Sequence, residues 1–448
     1  MATKRGEPAR REFLVRSVGA VAASIVPATA LGGRHAAPSD RLQVGVVGLG
    51  SRGFNLIDAL LVQPDVQITA ICDVTSKHYR DRPWGQGRAY GTEPAAARIA
   101  SHAGRASQSA RAAIPRIDTD FRVLCARDDI DVVVIATPDH WHALVSLEAL
   151  RAGKDVYCEK PVTHTFREGQ LVYREAARRH AVMQVGSQQR SMIEFQAAVK
   201  LVRDGVIGEV RRIEVGLPPG YDRPMGDATI RKPPAGLDYD RWTGPAPRLP
   251  YMRARHHRWW RGHRAYGGGV LMDWIGHHND IAHWSLGADR SGPTRVEAVD
   301  WTDPHTDIYN TPHHYTIRCE YRGGVTSTIS SRHQQGTKWI GDSGWIAVRR
   351  GKLVASNPAW LKSLPLDKRR DGTARHMRNF LDSVKSRTTT AAPPETAHRS
   401  ITPGHLGYVS HALARPLQWD PASERIVDDE EADRLLRSVA YRKPWVLE

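Results

Sequence analysis

Apolar residues fall into short dense runs in the first part of this chain and into alternating runs later, and the two textures divide it. From Leu42, Leu-Gln-Val-Gly-Val-Val is too short for a buried helix and is ended by glycines, which marks a strand buried on both faces. Residues 54–61 then recur at helical spacing, 66–72 form a second strand closed by Asp73, and 132–136 a third clear one. A helix at 142–152, a strand at 156–158, a helix at about 167–180 and a strand at 182–185 continue the alternation. Strands alternating with helices predict a doubly wound parallel sheet of the Rossmann kind, an α/β fold. Residues 79–115 interrupt it with Gly, Arg, Ala and Ser, and read as an insertion, part loop and part Ala-rich helix.

Beyond Gly186 a helix at 195–204 is followed by strand patterns at 210–215, 296–301, 314–321, 325–331, 339–340 and 345–349. Several alternate apolar and polar residues and are joined by Gly-Gly or Asp-Ser-Gly, as antiparallel hairpins are. The expectation is a second, α+β domain with a large open, mainly antiparallel sheet and helices on one face. It finishes with helices at 376–385, 405–414 and 430–439.

The N-terminus has another character. Arg10-Arg11-Glu12-Phe13-Leu14, a weakly apolar stretch and Pro27-Ala28-Thr29-Ala30 read as a twin-arginine export signal cleaved after Ala30. The predicted organisation is a signal peptide at 1–30, a linker at 31–41, a nucleotide-binding domain at 42–186 and a substrate and oligomerisation domain at 187–448. The predicted location is the periplasm or another exported site. No 18-residue uncharged run follows the N-terminus, so no membrane span is expected.

Composition adds limits. The 448 residues include 64 Lys and Arg against 48 Asp and Glu, a formal charge of +16 that falls to +13 once residues 1–30 are removed. That charge is dispersed, with no zinc-finger, RNP-type or heptad-linked basic segment, so no nucleic-acid partner is expected. The four cysteines, Cys72, Cys125, Cys158 and Cys319, are far apart and lack C-x-x-C spacing, which favours buried free thiols, although an exported chain could oxidise a pair.

The candidate chemistry begins at Gly48, Gly50 and Gly53. This G-x-G-x-x-G lies between a predicted strand and a predicted helix, and Asp73 ends the next strand 20 residues after Gly53. Glycines permit the tight turn, and helix N–H groups at Ser51, Arg52 and Gly53 face a pyrophosphate. Asp73 suits a ribose 2′-OH and repels a 2′-phosphate, so NAD is favoured over NADP, a preference Arg52 could weaken by reaching a phosphate. Thr137 and Pro138 lie where doubly wound sheets place ligands, with His142 lining the cofactor or capping the next helix. Glu159-Lys160-Pro161 closes another such strand, placing Glu159 to position the cofactor and Lys160 toward the nicotinamide end.

After Gly267-Gly268-Gly269, a helical stretch carries Asp273, His277, Asp280 and Trp284 at spacings of four, three and four, hence on one face. Asp273 one turn before His277 would fix its tautomer and raise its basicity. Metal ligation by His277, His278 and Asp280 competes, but adjacent histidines point apart on a helix, and no metal is expected. Upstream, Arg255-His256-His257-Arg258-Trp259-Trp260-Arg261-Gly262-His263 is aromatic and basic, suited to the apolar faces and hydroxyls of a sugar. The substrate-binding candidates are Arg190, His257, Trp259, Trp274, His278 and Asp280.

In order, the glycine loop, Asp73, Thr137-Pro138, Glu159-Lys160-Pro161, Asp204-Gly205-Val206-Ile207-Gly208-Glu209, the Gly-Gly-Gly to Asp280 segment and the ending Trp419-Asp420-Pro421 to Pro444-Trp445 resemble the Gfo/Idh/MocA oxidoreductases over about 42–447. The resemblance implies that Lys160, Asp273 and His277 match the family's catalytic positions, with Asp280 a fourth candidate. It also implies an open C-terminal sheet that builds a homodimer or homotetramer, and reversible oxidation of a secondary alcohol on a sugar or polyol. His277 or Lys160 would accept the hydroxyl proton while the carbinol hydride moves to nicotinamide C4. Export implies a captive cofactor recycled in place. The alternatives are a redox-neutral glycosidase of the same superfamily and a non-catalytic sugar- or nucleotide-binding protein.

Overall fold

Val132–Ile135 contains nothing but Val and Ile, and in the computed structural model all four residues are buried. Their side chains alternate between two separate cores: Val132 and Val134 join Val44, Val46, Leu56 and Leu60, while Val133 and Ile135 join Val47, Val145 and Leu147. A strand that feeds a core on each face has no polar side to show, which is why its sequence is a solid run.

The structure describes residues 41–80, 87–106, 114–362, 364 and 372–448. The expected signal peptide and nearly all of the linker lie outside them. Residues 42–448 form one unit. Its first sheet has six parallel strands: β1 Leu42–Val47, β2 Val66–Cys72, β3 Arg116–Asp118, β4 Val132–Ile135, β5 Asp155–Cys158 and β6 Met183–Val185, in the order β3-β2-β1-β4-β5-β6. The direction of travel reverses at β1 beside β4, the switch point where such sheets open a ligand crevice.

Within the expected insertion, His78–Tyr79 pairs with Ala89–Tyr90, a helix spans Thr92–Ala106, and β3 follows. Residues 81–86 and 107–113 lie outside the described ones. β3 went unpredicted because Arg-Ile-Asp is a short edge strand with no apolar pattern. The helix after β4 begins at Asp139 rather than at 142: Pro138, at φ −60, fixes its entry and puts Asp139, His140 and Trp141 in the first turn.

The second sheet is mixed and mostly antiparallel, with nine strands: β7 Val210–Gly216, β8 Arg295–Thr302, β9 His314–Glu320, β10 Thr326–Ser330, β11 Gly336–Gly341, β12 Gly344–Arg349, β13 Lys352–Ala355, β14 Leu417–Asp420 and β15 Arg425–Ile426. Their order is β13-β12-β11-β7-β10-β9-β8-β14-β15, with β7 and β10 parallel. Leu271 and Ile275 of the Gly269–Ser285 helix and Ile401 and Leu406 of the Pro394–Leu413 helix share a core with Ile213, Val215, Ile317, Trp339 and Ile346 of the sheet. The latter helix starts eleven residues before the expected 405, its apolar pattern broken by Pro403 and by buried Ser, Thr and His. Helix Gly372–Ser386 crosses the expected boundary at residue 186: Met377, Phe380, Leu381 and Val384 pack on Val44 and Val46 of the first sheet. Among the described residues, no helix is long and apolar enough to cross a membrane.

Candidate active site

The turn after β1 needs its glycines for different reasons. Gly48 has φ +90, and a Cβ there would lie 2.6 Å from the backbone of Ala136. A Cβ on Gly53 would stand 2.1 Å from the Gly48 carbonyl oxygen, so this glycine lets helix Ser51–Leu61 close on the turn. At Gly50 no heavy atom lies within 4 Å of where a Cβ would be, and no side chain caps the helix. Its first N–H groups are therefore left for an anionic ligand.

That turn opens into a cavity of about 660 Å³, in the ordinary range for small-molecule sites. It runs from Asp73 at the end of β2, past Gly50, Ser51 and Arg52 and past Thr137 and Pro138, to Lys160, Asp273, Trp274 and His277. Asp73 accepts from the Leu49 N–H at 2.6 Å and the Thr75 N–H at 2.9 Å, while burial lifts its pKa to about 6. Ser51 accepts from Arg80 at 2.5 Å. Arg52 is held at 2.7 Å by Glu159 and at 3.4 Å by Gln188, so its guanidinium serves the Lys160 end of the cavity rather than a ribose phosphate. His142 lines the cavity wall with both ring nitrogens on carbonyls, 2.6 Å from Pro161 and 3.0 Å from Thr137. Two acceptors facing the ring favour its protonated form; burial opposes this, but Cys158 and the two carbonyls raise its pKa.

At the far end Lys160 Nζ donates to Asp273 Oδ1 at 2.5 Å and to the Asp273 carbonyl at 2.8 Å. Arg261 Nε lies 3.1 Å from the same Oδ1. Burial would raise the Asp273 pKa, but Arg261 and Lys160 outweigh it and hold the carboxyl well below its usual range. This corrects the expected Asp273–His277 pair. Two cations compete for the carboxylate, and a neutral imidazole one turn away loses. His277 Nδ1 has no partner among the described residues, and burial, Lys160 and Arg350 push its pKa well down, so the ring is neutral.

Four expected substrate residues lie elsewhere. Arg190 grips Asp280 through Nε at 2.7 Å and Nη2 at 2.9 Å, and neither lines the cavity. The 4-3-4 spacing puts Asp280 and Trp284 toward Arg190 instead, whose guanidinium lies 5.2 Å from the Trp284 ring. His278 stacks on Trp274 and Phe195 away from the cavity. With Asp280 taken by Arg190, the competing set of metal ligands does not converge. Trp259 is 3% exposed and packs on Tyr221, leaving the wall to its neighbour Trp260. His257 and Trp274 do line the cavity. His257 stacks on His78 at 3.6 Å, and both it and Arg258 take left-handed backbone, at φ +37 and +81, which costs about 1–3 kcal/mol apiece.

Sequence reasoning missed Asp139. It is 1% exposed, lines the cavity, and its Oδ2 has no partner among the described residues. Burial lifts its pKa to about 7 against the pull of Arg261 and Lys160. The signal was its position directly after Thr137-Pro138. Arg261, inside the aromatic and basic loop, and Arg350, after β12 and 5.1 Å over Trp274, were also missed. A lone arginine on a hairpin carries no signal of its target.

The residues fit a dinucleotide: an open helix N-terminus, a carboxylate at the end of β2, and a proton-handling cluster beyond. A family model described as an oxidoreductase family with an NAD-binding Rossmann fold matches residues 42–187, and its companion, the C-terminal alpha/beta domain, matches 192–447. A glycosyl hydrolase family 109 protein of Shewanella sp. (strain W3-18-1) is 28% identical over 219 residues, 45% of this chain and 44% of that protein. The match thus spans under half of that relative. Among solved structures, GenD2 from gentamicin A biosynthesis in complex with NAD aligns over 86% of this chain and 99% of its own at TM-score 0.60 and 18% identity. The aldose-aldose oxidoreductase of Caulobacter crescentus covers 84% and 99% at TM-score 0.60 and 17% identity.

Proposed function

The chain belongs to the Gfo/Idh/MocA oxidoreductase family, and from that premise we propose that it oxidises a secondary hydroxyl of a sugar, polyol or glycoside, using NAD that stays bound and is recycled in place. The observation that carries this reading is one cavity joining the glycine turn and Asp73 to Lys160, Asp273 and His277. Asp73 beside the ribose position supports NAD over NADP. The glycine turn and Asp73 would hold NAD, which when bound would supply the hydride acceptor for the carbinol carbon. The Lys160 ammonium, fixed by Asp273, steadies the oxygen as negative charge develops on it. His277, held neutral, offers a lone pair for the hydroxyl proton.

Arg10-Arg11 supports export to the periplasm by the twin-arginine route, and scarce NAD outside the cytoplasm supports a captive cofactor. The proposed partner is a small carbohydrate, with a homodimer or homotetramer as the assembly and neither nucleic acid nor membrane as a target. The likeness to family 109 glycosyl hydrolases favours one second reading. In it a ring hydroxyl is oxidised, the aglycone is eliminated, water adds, and the carbonyl is reduced again, with no net redox change.

Mass spectrometry of the denatured supernatant from dialysed protein tests the shared core: a stoichiometric NAD(H) is expected, and an empty supernatant overturns the captive cofactor. A panel of sugars and aryl glycosides then separates the readings. Alcohol oxidation coupled to a second carbonyl substrate supports the first, and aglycone release without net NADH the second.

A further inference from the structure

The cavity has a second end that the proton-handling cluster does not use. β3 runs beside β2, with the Asp73 N–H donating to the Asp118 carbonyl at 3.3 Å, so Thr119, Asp120 and Phe121 emerge next to Asp73. Phe121 and Arg122 line the cavity there together with Trp141, Trp242 and Trp445.

These side chains make an aromatic corner. Phe121 meets Trp141 edge-on at 5.5 Å and lies near-parallel to Trp445 at 6.3 Å, while Trp141 and Trp445 stand at 4.8 Å and 84°. Arg122, anchored by Asp120 at 2.6 Å, spreads its guanidinium 5.2 Å from the Trp445 ring. The Trp141 indole donates to the Trp242 carbonyl at 3.0 Å.

Trp445 is the odd member, since it comes from the last residues of the chain. It is held there by its neighbours. Arg442 donates its backbone N–H to Pro245 at 2.8 Å and its side chain to Gly244 at 3.0 Å and Asp240 at 2.8 Å. Tyr441 donates to Glu168 at 2.5 Å, and Glu448 accepts from Arg167 at 2.6 Å. These bonds pin residues 441–448 to the 240–245 segment and to Arg167 and Glu168, and Trp445 lines the cavity.

We propose that residues 441–448 form one wall of the site for the adenine base and that Trp445, with Phe121 and Arg122, slows release of the dinucleotide. A purine is flat, uncharged and rich in π electrons, which suits two aromatic faces and a guanidinium. Asp73 beside the corner would take the attached ribose. This rests on the NAD reading above, and it supplies the retention that reading requires.

The test uses the full chain as Trp445→Leu, which keeps apolar bulk but removes the stacking plane, and as Trp445→Phe, which keeps a plane. NADH and ADP-ribose are the probes, the latter carrying the adenine half without nicotinamide. Trp445→Leu is expected to weaken both about tenfold and to speed NADH release in a chase by a similar factor, with Trp445→Phe restoring most of the loss. Affinities within twofold of wild type overturn the proposal, as does a loss seen with NADH but not with ADP-ribose. Should wild type bind neither probe, the NAD reading itself fails. If Trp445→Leu does not fold, Arg122→Leu, on a half-exposed side chain, carries the same expectation at about threefold and is refuted by unchanged affinity for both probes.

Discussion

Replacing Asp280 by alanine tests whether this carboxylate meets substrate, as its place in the Asp273-to-Trp284 spacing suggests, or holds the fold. In the structure it is 1% exposed and Arg190 is 4% exposed, joined by two bonds at 2.7 and 2.9 Å. Removing one partner of a buried pair costs about 3–5 kcal/mol, because the charge left behind stays out of water. Arg190 keeps Asp289 at 2.7 Å, and that residue is one-third exposed, so its support is screened. The expected loss is therefore near the lower bound, about 3 kcal/mol. It should appear as a lower urea midpoint at unchanged slope. Asp280→Asn retains an acceptor and should lose less, about 1–2 kcal/mol. The double replacement Arg190→Met with Asp280→Leu should recover most of the alanine loss, since an apolar pair of similar volume has no stranded charge. An alanine variant within about 0.5 kcal/mol of wild type that instead weakens substrate binding would refute this reasoning and put Asp280 in the substrate site.

Three other perturbations follow from the geometry. Gly53→Ala places a methyl 2.1 Å from the Gly48 carbonyl oxygen; it should cost about 1–3 kcal/mol and strip NAD from the purified protein, and a full nucleotide load would contradict the close approach. Lys160→Ala leaves Asp273 its Arg261 partner, so NADH affinity should stay within about threefold while turnover falls about 100-fold or more; unchanged turnover would remove Lys160 from the chemistry. Asp139 titrates near 7 when folded against 3.8 in an unfolded chain, so its contribution to stability is complete below about pH 4 and is lost as pH rises through 7. Asp139→Asn lacks that dependence, and its stability relative to wild type should rise by about 2–3 kcal/mol between pH 5 and 8 in urea titrations; a constant difference would refute the shift.

The Rossmann half was legible because burial on two faces leaves an apolar run and a glycine turn leaves spacing, and both are local. What stayed hidden depends on partners far away in the chain. Lys160 and Asp273 are 113 residues apart, and that contact decides that the carboxylate serves an ammonium rather than His277. Helical spacing showed correctly that Asp280 and Trp284 share a side, but nothing local says that Arg190 waits there. Trp259 and Trp260 differ only in which way a short helical turn rotates them. β3 and Asp139 failed differently: a three-residue edge strand has no period, and one aspartate beside a proline reads as an ordinary helix start.

Helix Gly372–Ser386 has a consequence for how this chain is born. Its Met377, Phe380 and Leu381 complete the core around Val44 and Val46, residues made more than 300 positions earlier. A ribosome adding about 5–20 residues per second has the glycine turn and all six parallel strands outside its tunnel well before this helix emerges. During that interval the part of the sheet face that these residues cover is bare apolar surface, beside the part already covered by Leu56, Leu60 and Ile99. The nucleotide half therefore waits for the end of translation to become stable, and it should not survive as an isolated fragment ending at residue 186.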